Sequence, residues 1–571
     1  MNIQQRPSVT TDGLSSDLHP VIQQIYARRG ALTDADVQRT TSHLQHYQGL
    51  KGISEAVAIL ASAMAEQKHI MVVGDFDADG ATSTALVIRA LNQLGNKKHS
   101  YLVPNRFEFG YGLSPEIVTM AYEQGAELII TVDNGISCIE GVALAKQKGM
   151  SVVITDHHLP AEQLPNADAI VNPNQSGCEF ASKNLAGVGV AFYLMMALLR
   201  HLQQSNWFAE RQISPPNLTN LLDLVALGTV ADVVKLDGNN RILVHQGIQR
   251  IRAGQCCAGI NAMLQVAKRT NSDIDASTMG FVLGPRLNAA GRLDDMSLGI
   301  QCLLTDDEYT AIHLASRLDS LNSERREIES SMQKDADAFL AQFALGNDTM
   351  PSGIVLYEET WHQGIIGILA GRVKDKYNRP TVAMAWQDET TLKGSARSIP
   401  GVHIRDLLDE LYNRYPGIIQ KFGGHAAAAG LTINADKLAA FIKVFDQLCE
   451  EFLEGMELQD VILSDGQLQK ECFNLPFAQQ LKAAGPWGQG FPEPVFDGEF
   501  HIVQQRLVGA KHLKLVLRSE QGEVVDGIMF NVDLDVWPNE AQKAQVAYKL
   551  DINRFRNNVS LQLMIEAIEP V

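Results

Sequence analysis

The sequence predicts an α/β protein in which a parallel-sheet domain is joined by a long helix to a second α/β unit and followed by a small, OB-like β-barrel. Between residues 52 and 171, apolar runs suited to strands alternate with segments of helical periodicity, the pattern of crossover units in a parallel sheet covered on both faces. Residues 306–343 form a long, heavily charged helical stretch that reads as a connection between domains rather than a core helix. From about residue 460 the pattern changes to short alternating runs, which suit a barrel. A chain of 571 residues exceeds what one core of about 250 to 300 residues can serve, so several domains are expected.

Residues 1–48 read as a small helical preamble, with HPVIQQIYARRG and the capped segment LTDADVQRTTSHL. The sheet domain is expected over 49–300. It comprises helix ISEAVAILASAMAEQ, strand HIMVV, helix ATSTALVIRALNQLG, strand HSYLV, a helix, strand ELIITV, a further helix, and strands SVVIT and ADAIV, with helices near 187–202 and 217–228. The connecting helix is placed at 301–345. The second α/β unit, 346–456, opens with strand SGIVLYEE, a Gly-rich helix GIIGILAGRV and strand TVAMAW, and an Ala-rich helix is expected after Phe422-Gly423-Gly424-His425. The barrel, 457–571, takes its strands from HLKLVLRS, VVDGIMFN, QVAYKLDINRF and VSLQLMIEAIEP.

Composition narrows the function. Hydrophobic residues at 45% and charged residues at 20% describe an ordinary soluble protein, and no run approaches the roughly 18 apolar residues of a membrane span. The N-terminus lacks a basic stretch followed by an apolar core, so a cytoplasmic location is expected. Seven cysteines without a CxxC pair argue against a disulfide framework and against thiolate zinc. A net charge of −18 does not exclude a nucleic-acid partner, because binding depends on a local basic groove and clustered aspartates are neutralised by their own cations.

Strand HIMVV runs into Gly74-Asp75-Phe76-Asp77-Ala78-Asp79-Gly80, ELIITV into Asp133-Asn134-Gly135, and SVVIT into Asp156-His157-His158. Carboxylates at the carboxyl ends of parallel strands project into the crevice where open α/β sheets bind ligands. The first motif opens like a calcium loop, but its twelfth position is Leu86 rather than Glu, and a strand rather than a helix enters it. A single Asp at such a turn is usually a helix cap; successive turns delivering Asp, Asp and Asp/His to one edge point instead to a site. Carboxylates packed together repel unless cations neutralise them, so a divalent pair is the natural occupant. Oxygen ligands suit Mg²⁺ and Mn²⁺, and an imidazole tilts the choice towards Mn²⁺. Two such ions roughly 3.5 to 4 Å apart can activate water and stabilise both the attacking and the leaving oxygens of a phosphodiester.

Asp156-His157-His158, preceded by GDFDADG and TVDNGIS, resembles the DHH phosphoesterase superfamily, and the length and added segments resemble its single-stranded-DNA-specific exonuclease branch. The likeness extends through Val103-Pro104-Asn105-Arg106, Ala231-Asp232-Val233-Val234, Gly284-Pro285-Arg286-Leu287-Asn288-Ala289-Ala290-Gly291-Arg292 and Gly423-Gly424-His425. The resemblance implies a DHH catalytic domain, a DHH-associated nucleic-acid-binding domain and an OB-like barrel. It implies that Asp75, Asp77, Asp79, Asp133, His157 and Asp232 hold two Mn²⁺ or Mg²⁺ ions, with Asp133 bridging. Catalytic work falls to Asp77, Asp79, Asp133, His157 and His158, the last contacting the scissile phosphate or supporting a ligand.

Asn105, Arg106, Arg286, Asn288 and Arg292 are expected at the DNA, since guanidinium forks suit phosphate oxygens. Ser395, Arg397 and His425 are candidates for the 5′ phosphate, beside glycines that let backbone N–H groups approach an anion. On the barrel, Arg506, Lys511, Lys514 and Phe530 are candidates for backbone contact and base stacking. By the same resemblance the activity is 5′→3′ degradation of single-stranded DNA to mononucleotides in repair and recombination, by a monomer partnered by single-strand-binding protein and a RecQ-type helicase. A relative acting on short oligonucleotides, cyclic dinucleotides or polyphosphate is the first alternative, disfavoured by the terminal barrel. A non-catalytic replication scaffold is the second, disfavoured because each expected Asp and His is present.

Overall fold

The computed structural model describes residues 2–105, 112–345, 350–456, 461–509, 511–534, 536–555 and 558–571. They divide into two compact units, one of Ile3–Asp319 with Val461–Val571 and one of Ser320–Asp460.

The first unit opens with strand β1 (Asn2–Gln5) and helix α1 (Pro20–Ala27). Helix α2 (Ile53–Ala65) then leads into a parallel sheet of β2 (Ile70–Val73), β3 (His99–Leu102), β4 (Leu128–Val132), β5 (Ser151–Thr155) and β6 (Ala169–Val171), in spatial order β3-β2-β4-β5-β6. Strands β2 and β4 are buried along their whole length, which is why they read as unbroken apolar runs. The crossovers are α3 (Ala78–Gln93), α4 (Pro115–Glu123) and α5 (Ile139–Gln147). On one face, Ile117, Val118, Ala121 and Val142 from α4 and α5 pack against Met71, Val73, Ile129, Val152 and Ile154 of the sheet. Helices α6 (Gly187–Gln204), α7 (Trp207–Arg211), α8 (Leu222–Ala231), α9 (Gly238–Arg252), α10 (Ala258–Val266), the single turn α11 (Ala276–Thr278), α12 (Gly284–Leu293) and α13 (Ser297–Leu304) complete this part.

Helix α14 (Glu308–Leu345) runs from the first unit into the second. In the second unit, β7 (Ile354–Tyr357), α15 (Ile366–Tyr377), β8 (Thr381–Trp386), β9 (Thr391–Arg397), α16 (Ile404–Arg414), β10 (Ile419–Gly424), β11 (Ala428–Asn434) and α17 (Leu438–Leu453) build a mixed sheet in the order β10-β11-β9-β8-β7. Phe441 and Phe445, stacked at 5.6 Å, anchor α17 in its core with Leu407, Leu411 and Ile433.

The expected Ala-rich helix after His425 is instead strand β11, paired antiparallel with both β10 and β9. Alanine's helix preference is overridden because Leu431 and Ile433 must reach the core and period-two alternation places them there. The preamble also differs. After α1 it forms single helical turns at Asp34–Val37, Thr41–His43 and Tyr47–Gly49. It is stitched to the C-terminal half: β1 pairs with β12 (Val461–Ser464), Tyr26 donates to the Ala484 carbonyl at 2.8 Å, and buried Arg29 meets buried Asp465 at 2.8 Å.

After α18 (Leu475–Ala484), strands β13 (Phe496–Val508), β14 (His512–Ser519), β15 (Val524–Met529), β16 (Lys543–Phe555) and β17 (Asn558–Pro570) close a barrel in the order β13-β14-β15-β17-β16, with β15 and β17 parallel. The OB-like barrel expected from the alternating runs is therefore present. Among the described residues, no helix is long and apolar enough to cross a membrane.

Candidate metal centre

The centre is assembled at the carboxyl edge of the parallel sheet. Asp77 is the N-cap of α3, its Oδ1 accepting from the backbone N–H of Asp79 at 2.9 Å and Gly80 at 3.0 Å. Its other oxygen is left for the crevice. Asp79, one turn into the helix, accepts from the N–H groups of Gly187 at 2.6 Å and Val188 at 2.9 Å, so its carboxylate also caps α6. Gly187 is required there: a Cβ would lie 2.6 Å from the Asp133 Cβ. Gly291 of α12 likewise abuts the carbonyl of Phe76, closing the acidic loop from the other side.

Asp133 follows β4 with a left-handed φ of 62°, a strained conformation for a residue with a Cβ and one that clusters at functional sites. It brings the carboxylate to within 3.1 Å of His157 Nε2, and Asp232, which caps the C-terminus of α8, stands 3.5 Å from the same nitrogen. Three overlapping groups result, each with ligand atoms within 4.8 Å of one another: Asp75, Asp77 and Asp133; Asp79, His157 and Asp232; and Asp133, His157 and His158.

Electrostatics makes this cluster costly without cations. Burial, reinforced by Asp79, Asp77, Asp232 and Asp75, pushes the Asp133 carboxyl well above its ordinary range, and burial with neighbouring acids does the same to Asp232. Asp79 rises to about 7 through burial and the charge of Asp77. Burial takes His157 down to about 4, so its imidazole is neutral, the form that ligates metals. His157 Nε2 and Asp232 Oδ2 are buried atoms that form no hydrogen bond. Buried polar atoms demand a partner, and this set of oxygens with imidazole nitrogen fits Mn²⁺ or Mg²⁺.

Asp156, which sequence reasoning noted only as part of a motif, orients the histidine pair. Its Oδ1 accepts from the His157 N–H at 2.7 Å, the His158 N–H at 3.1 Å and His158 Nδ1 at 2.7 Å, and its Oδ2 accepts from the Ile136 N–H at 2.9 Å. The His158 ring is thereby fixed through Nδ1. Burial alone would lower its pKa, but the Asp156 hydrogen bond and charge raise it to about 9. The signal in the sequence was a carboxylate two residues before a histidine, a spacing that allows exactly one ring nitrogen to be claimed.

The expected DNA contacts divide. Asn105 lies just beyond β3, and Arg106 falls outside the described residues. Arg286, expected at the DNA, is mostly buried, with its guanidinium 2.6 Å from Asp319 of α14 and donating to the Val282 carbonyl at 2.6 Å. Asn288 accepts from the Ala78 N–H at 2.8 Å and so caps the acidic loop. Both side chains therefore help to hold α12 in place. Arg292 sits half-buried in the last turn of α12.

In the second unit, alternation along β9 puts Ser395 and Arg397 on the face opposite Leu392 and Ala396, where Arg397 donates to the Ser395 hydroxyl at 3.0 Å. Gly367 of α15 covers them so closely that a Cβ would lie 2.9 Å from both Arg397 Nη2 and Ser395 Oγ. The His425 N–H donates to the Ala428 carbonyl at 2.8 Å in the β10–β11 turn. On the barrel, Arg506 and Lys514 line a cavity of about 210 Å³ with Asp526, which lies 3.1 Å from Lys514, while Phe530 is exposed against His512.

Comparison with known proteins gives the class first. Residues 69–229 match the DHH family, N-terminal domain, residues 351–451 the DHHA1 domain and residues 464–567 the RecJ OB domain. The fold and the acidic centre are those of a DHH phosphoesterase, as the motifs led us to expect. The single-stranded-DNA-specific exonucleases RecJ of Dickeya dadantii and Escherichia coli are each 52% identical to it, over 100% of this chain and 99% of theirs. RecJ of Bacillus subtilis is 32% identical over 98% of this chain and 70% of its own. The crystal structure of RecJ in complex with Mn²⁺ from Thermus thermophilus superposes with a TM-score of 0.79 at 28% identity, covering 97% of this chain and 76% of that one; the complex with Mg²⁺ gives 0.72 at 26%, covering 97% and 75%. The chain belongs to the RecJ family of single-stranded-DNA-specific exonucleases.

Proposed function

We propose that this protein is a metal-dependent exonuclease that removes mononucleotides from the 5′ end of single-stranded DNA, in DNA repair and recombination. The observation that carries the reading is the convergence of Asp75 and Asp77, Asp133, His157 and Asp232 from four separate segments into overlapping groups of ligand atoms within 4.8 Å of one another. Asp75, Asp77 and Asp133 form one ligand group, and Asp79, His157 and Asp232 the other, with Asp133 near enough to both to be shared. Bound Mn²⁺ or Mg²⁺ supplies positive charge at the phosphodiester and acidifies water. The chain's own residues do the rest. Asp77 and Asp79 fix the mouth of the crevice by capping two helices. His158, kept protonated near neutral pH by Asp156, donates from Nε2 to a phosphate oxygen.

Asn105, Arg106 and Arg292 in the first unit, and Ser395, Arg397 and His425 in the second, are the proposed phosphate contacts. Arg506, Lys511, Lys514 and Phe530 extend the track along the barrel. The working division is 1–48, 49–300, 301–345, 346–456 and 457–571. A monomer acting in the cytoplasm with single-strand-binding protein and a RecQ-type helicase completes the reading.

The test uses strands labelled at either end, incubated with purified protein and Mn²⁺ or Mg²⁺, with and without Asp133→Ala. Mononucleotide release from the 5′ end that the substitution abolishes is expected. Full activity in the variant would remove Asp133 from the centre, and release from the 3′ end would reverse the polarity.

A further inference from the structure

A cavity of about 930 Å³ lies in the first unit, on the side of α8 and α9 formed with the 482–493 segment. Its size is that of a ligand site, for which roughly 300–1,000 Å³ is usual. One wall is apolar and aromatic. Phe281 stands 77% exposed on a π-helical turn, Met279–Leu283, and Val233 is 64% exposed in the left-handed region at φ 62°. A β-branched residue rarely adopts that φ, and π-turns recur at functional sites. Trp487, stacked on Phe491 at 5.3 Å, also lines the cavity.

The lining is also cationic. His245 and Arg252 lie seven residues apart on the cavity face of α9, next to Arg39. Arg39 donates to the carbonyls of Ala483 and Gly485, and Arg252 to that of Ile274. Among the described residues, neither guanidinium has a carboxylate within ion-pair distance. The carboxylates in the lining have partners of their own: Asp275 caps α11, accepting from the N–H and hydroxyl of Thr278 at 2.8 Å, and Glu493 faces Lys549 at 3.7 Å. His245 itself is held neutral, down at about 4, by burial and the two arginines, so it offers an N–H donor without adding charge.

Aromatic side chains and guanidiniums without a carboxylate partner, lining one cavity, are the chemistry that receives a base joined to a phosphate. We propose that this cavity binds one nucleotide unit, its base between Phe281 and Trp487 and its phosphate at Arg39 and Arg252. Because Val230, Val233 and Val234 line the cavity while Asp232 between them faces the acidic centre, the bound nucleotide sits directly behind a proposed metal ligand. The nucleotide comes either free from solution or as a link of the bound strand.

Calorimetric titration of the full chain with 2′-deoxyadenosine 5′-monophosphate, in EDTA so that nothing depends on the nuclease reading, tests the site. Saturable binding is expected, weakened about five- to tenfold by Phe281→Ala and by Arg252→Ala, the loss of one stacking or one guanidinium contact. Phe281 is exposed, so its truncation leaves the fold intact, and unchanged melting verifies this. Displacement by a 12-nucleotide strand lacking a 5′ phosphate assigns the occupant to the strand; lack of displacement assigns it to free nucleotide. Absence of saturable binding, or a loss that follows Arg397→Ala but not Phe281→Ala, overturns the proposal.

Discussion

The substitution Asp156→Asn isolates what the acid of the histidine pair contributes. Asp156 is 1% exposed and accepts four hydrogen bonds, three at Oδ1 and one at Oδ2. An amide can present its oxygen to only one of these sides, leaving either the Ile136 N–H or the His158 side facing an NH₂. Leaving a buried donor unpaired beside a lost charge-assisted bond costs about 2–3 kcal/mol, which lowers the melting temperature of a domain this size by roughly 5–10 °C. Removing a residue that orients a ligand typically lowers metal affinity or activity by about 10–100-fold. The pH dependence carries a sign. The folded-state pKa of His158 is raised from 6.5 to about 9, so the stability it contributes is fully present below pH 6.5 and is lost as pH climbs through 9. The gap between wild type and variant in metal-free melting should therefore be widest between pH 3.8 and 6.5 and close as pH rises through about 9. Melting curves across pH and activity against Mn²⁺ concentration check this. A folded variant with unchanged half-saturating Mn²⁺ and an unchanged pH profile would refute the assignment of Asp156 as a positioning residue.

Two further outcomes follow from the same geometry. Arg286→Ala removes a mostly buried guanidinium from Asp319, which is itself part-exposed, so a loss of about 1–2 kcal/mol in stability is expected with little change in KM for DNA; a large KM change at unaltered melting temperature would return Arg286 to the DNA track. The carboxyls of Asp79, Asp133 and Asp232 have raised pKa values in the metal-free protein, so their burial and mutual repulsion destabilise it increasingly as pH rises above 3.8, through about 7 for Asp79. Metal binding must displace these protons. The rise in melting temperature on adding Mn²⁺ should thus grow between pH 5 and 8, and a rise independent of pH would contradict the cluster as the site of binding.

Much of the architecture was legible because burial writes itself into local pattern. Ile70–Val73, Leu128–Val132 and Ser151–Thr155 each combine an apolar, β-branched run with an acidic turn, and that conjunction located both the sheet and its functional edge. What local pattern cannot carry is the partner of a side chain. The pairing of Arg286 with Asp319 joins residues far apart in the chain, and the acceptor role of Asn288 depends on the distant Ala78 N–H, so neither contact could be read from the motif. The turn from His425 into β11 was misread as helical because four alanines favour a helix, whereas the register with Arg397 and Ser395 is set by β9. The Asp156–His158 contact is a related case: the spacing is visible in the motif, but that the chain turns the ring nitrogen onto the carboxylate is not.

The most direct test of the central claim is the anomalous scattering of a crystal soaked in Mn²⁺. Two peaks are expected, one among Asp75, Asp77 and Asp133 and the other beside His157 and Asp232. Density without peaks at these carboxylates, in crystals of protein that cleaves single-stranded DNA, would contradict it.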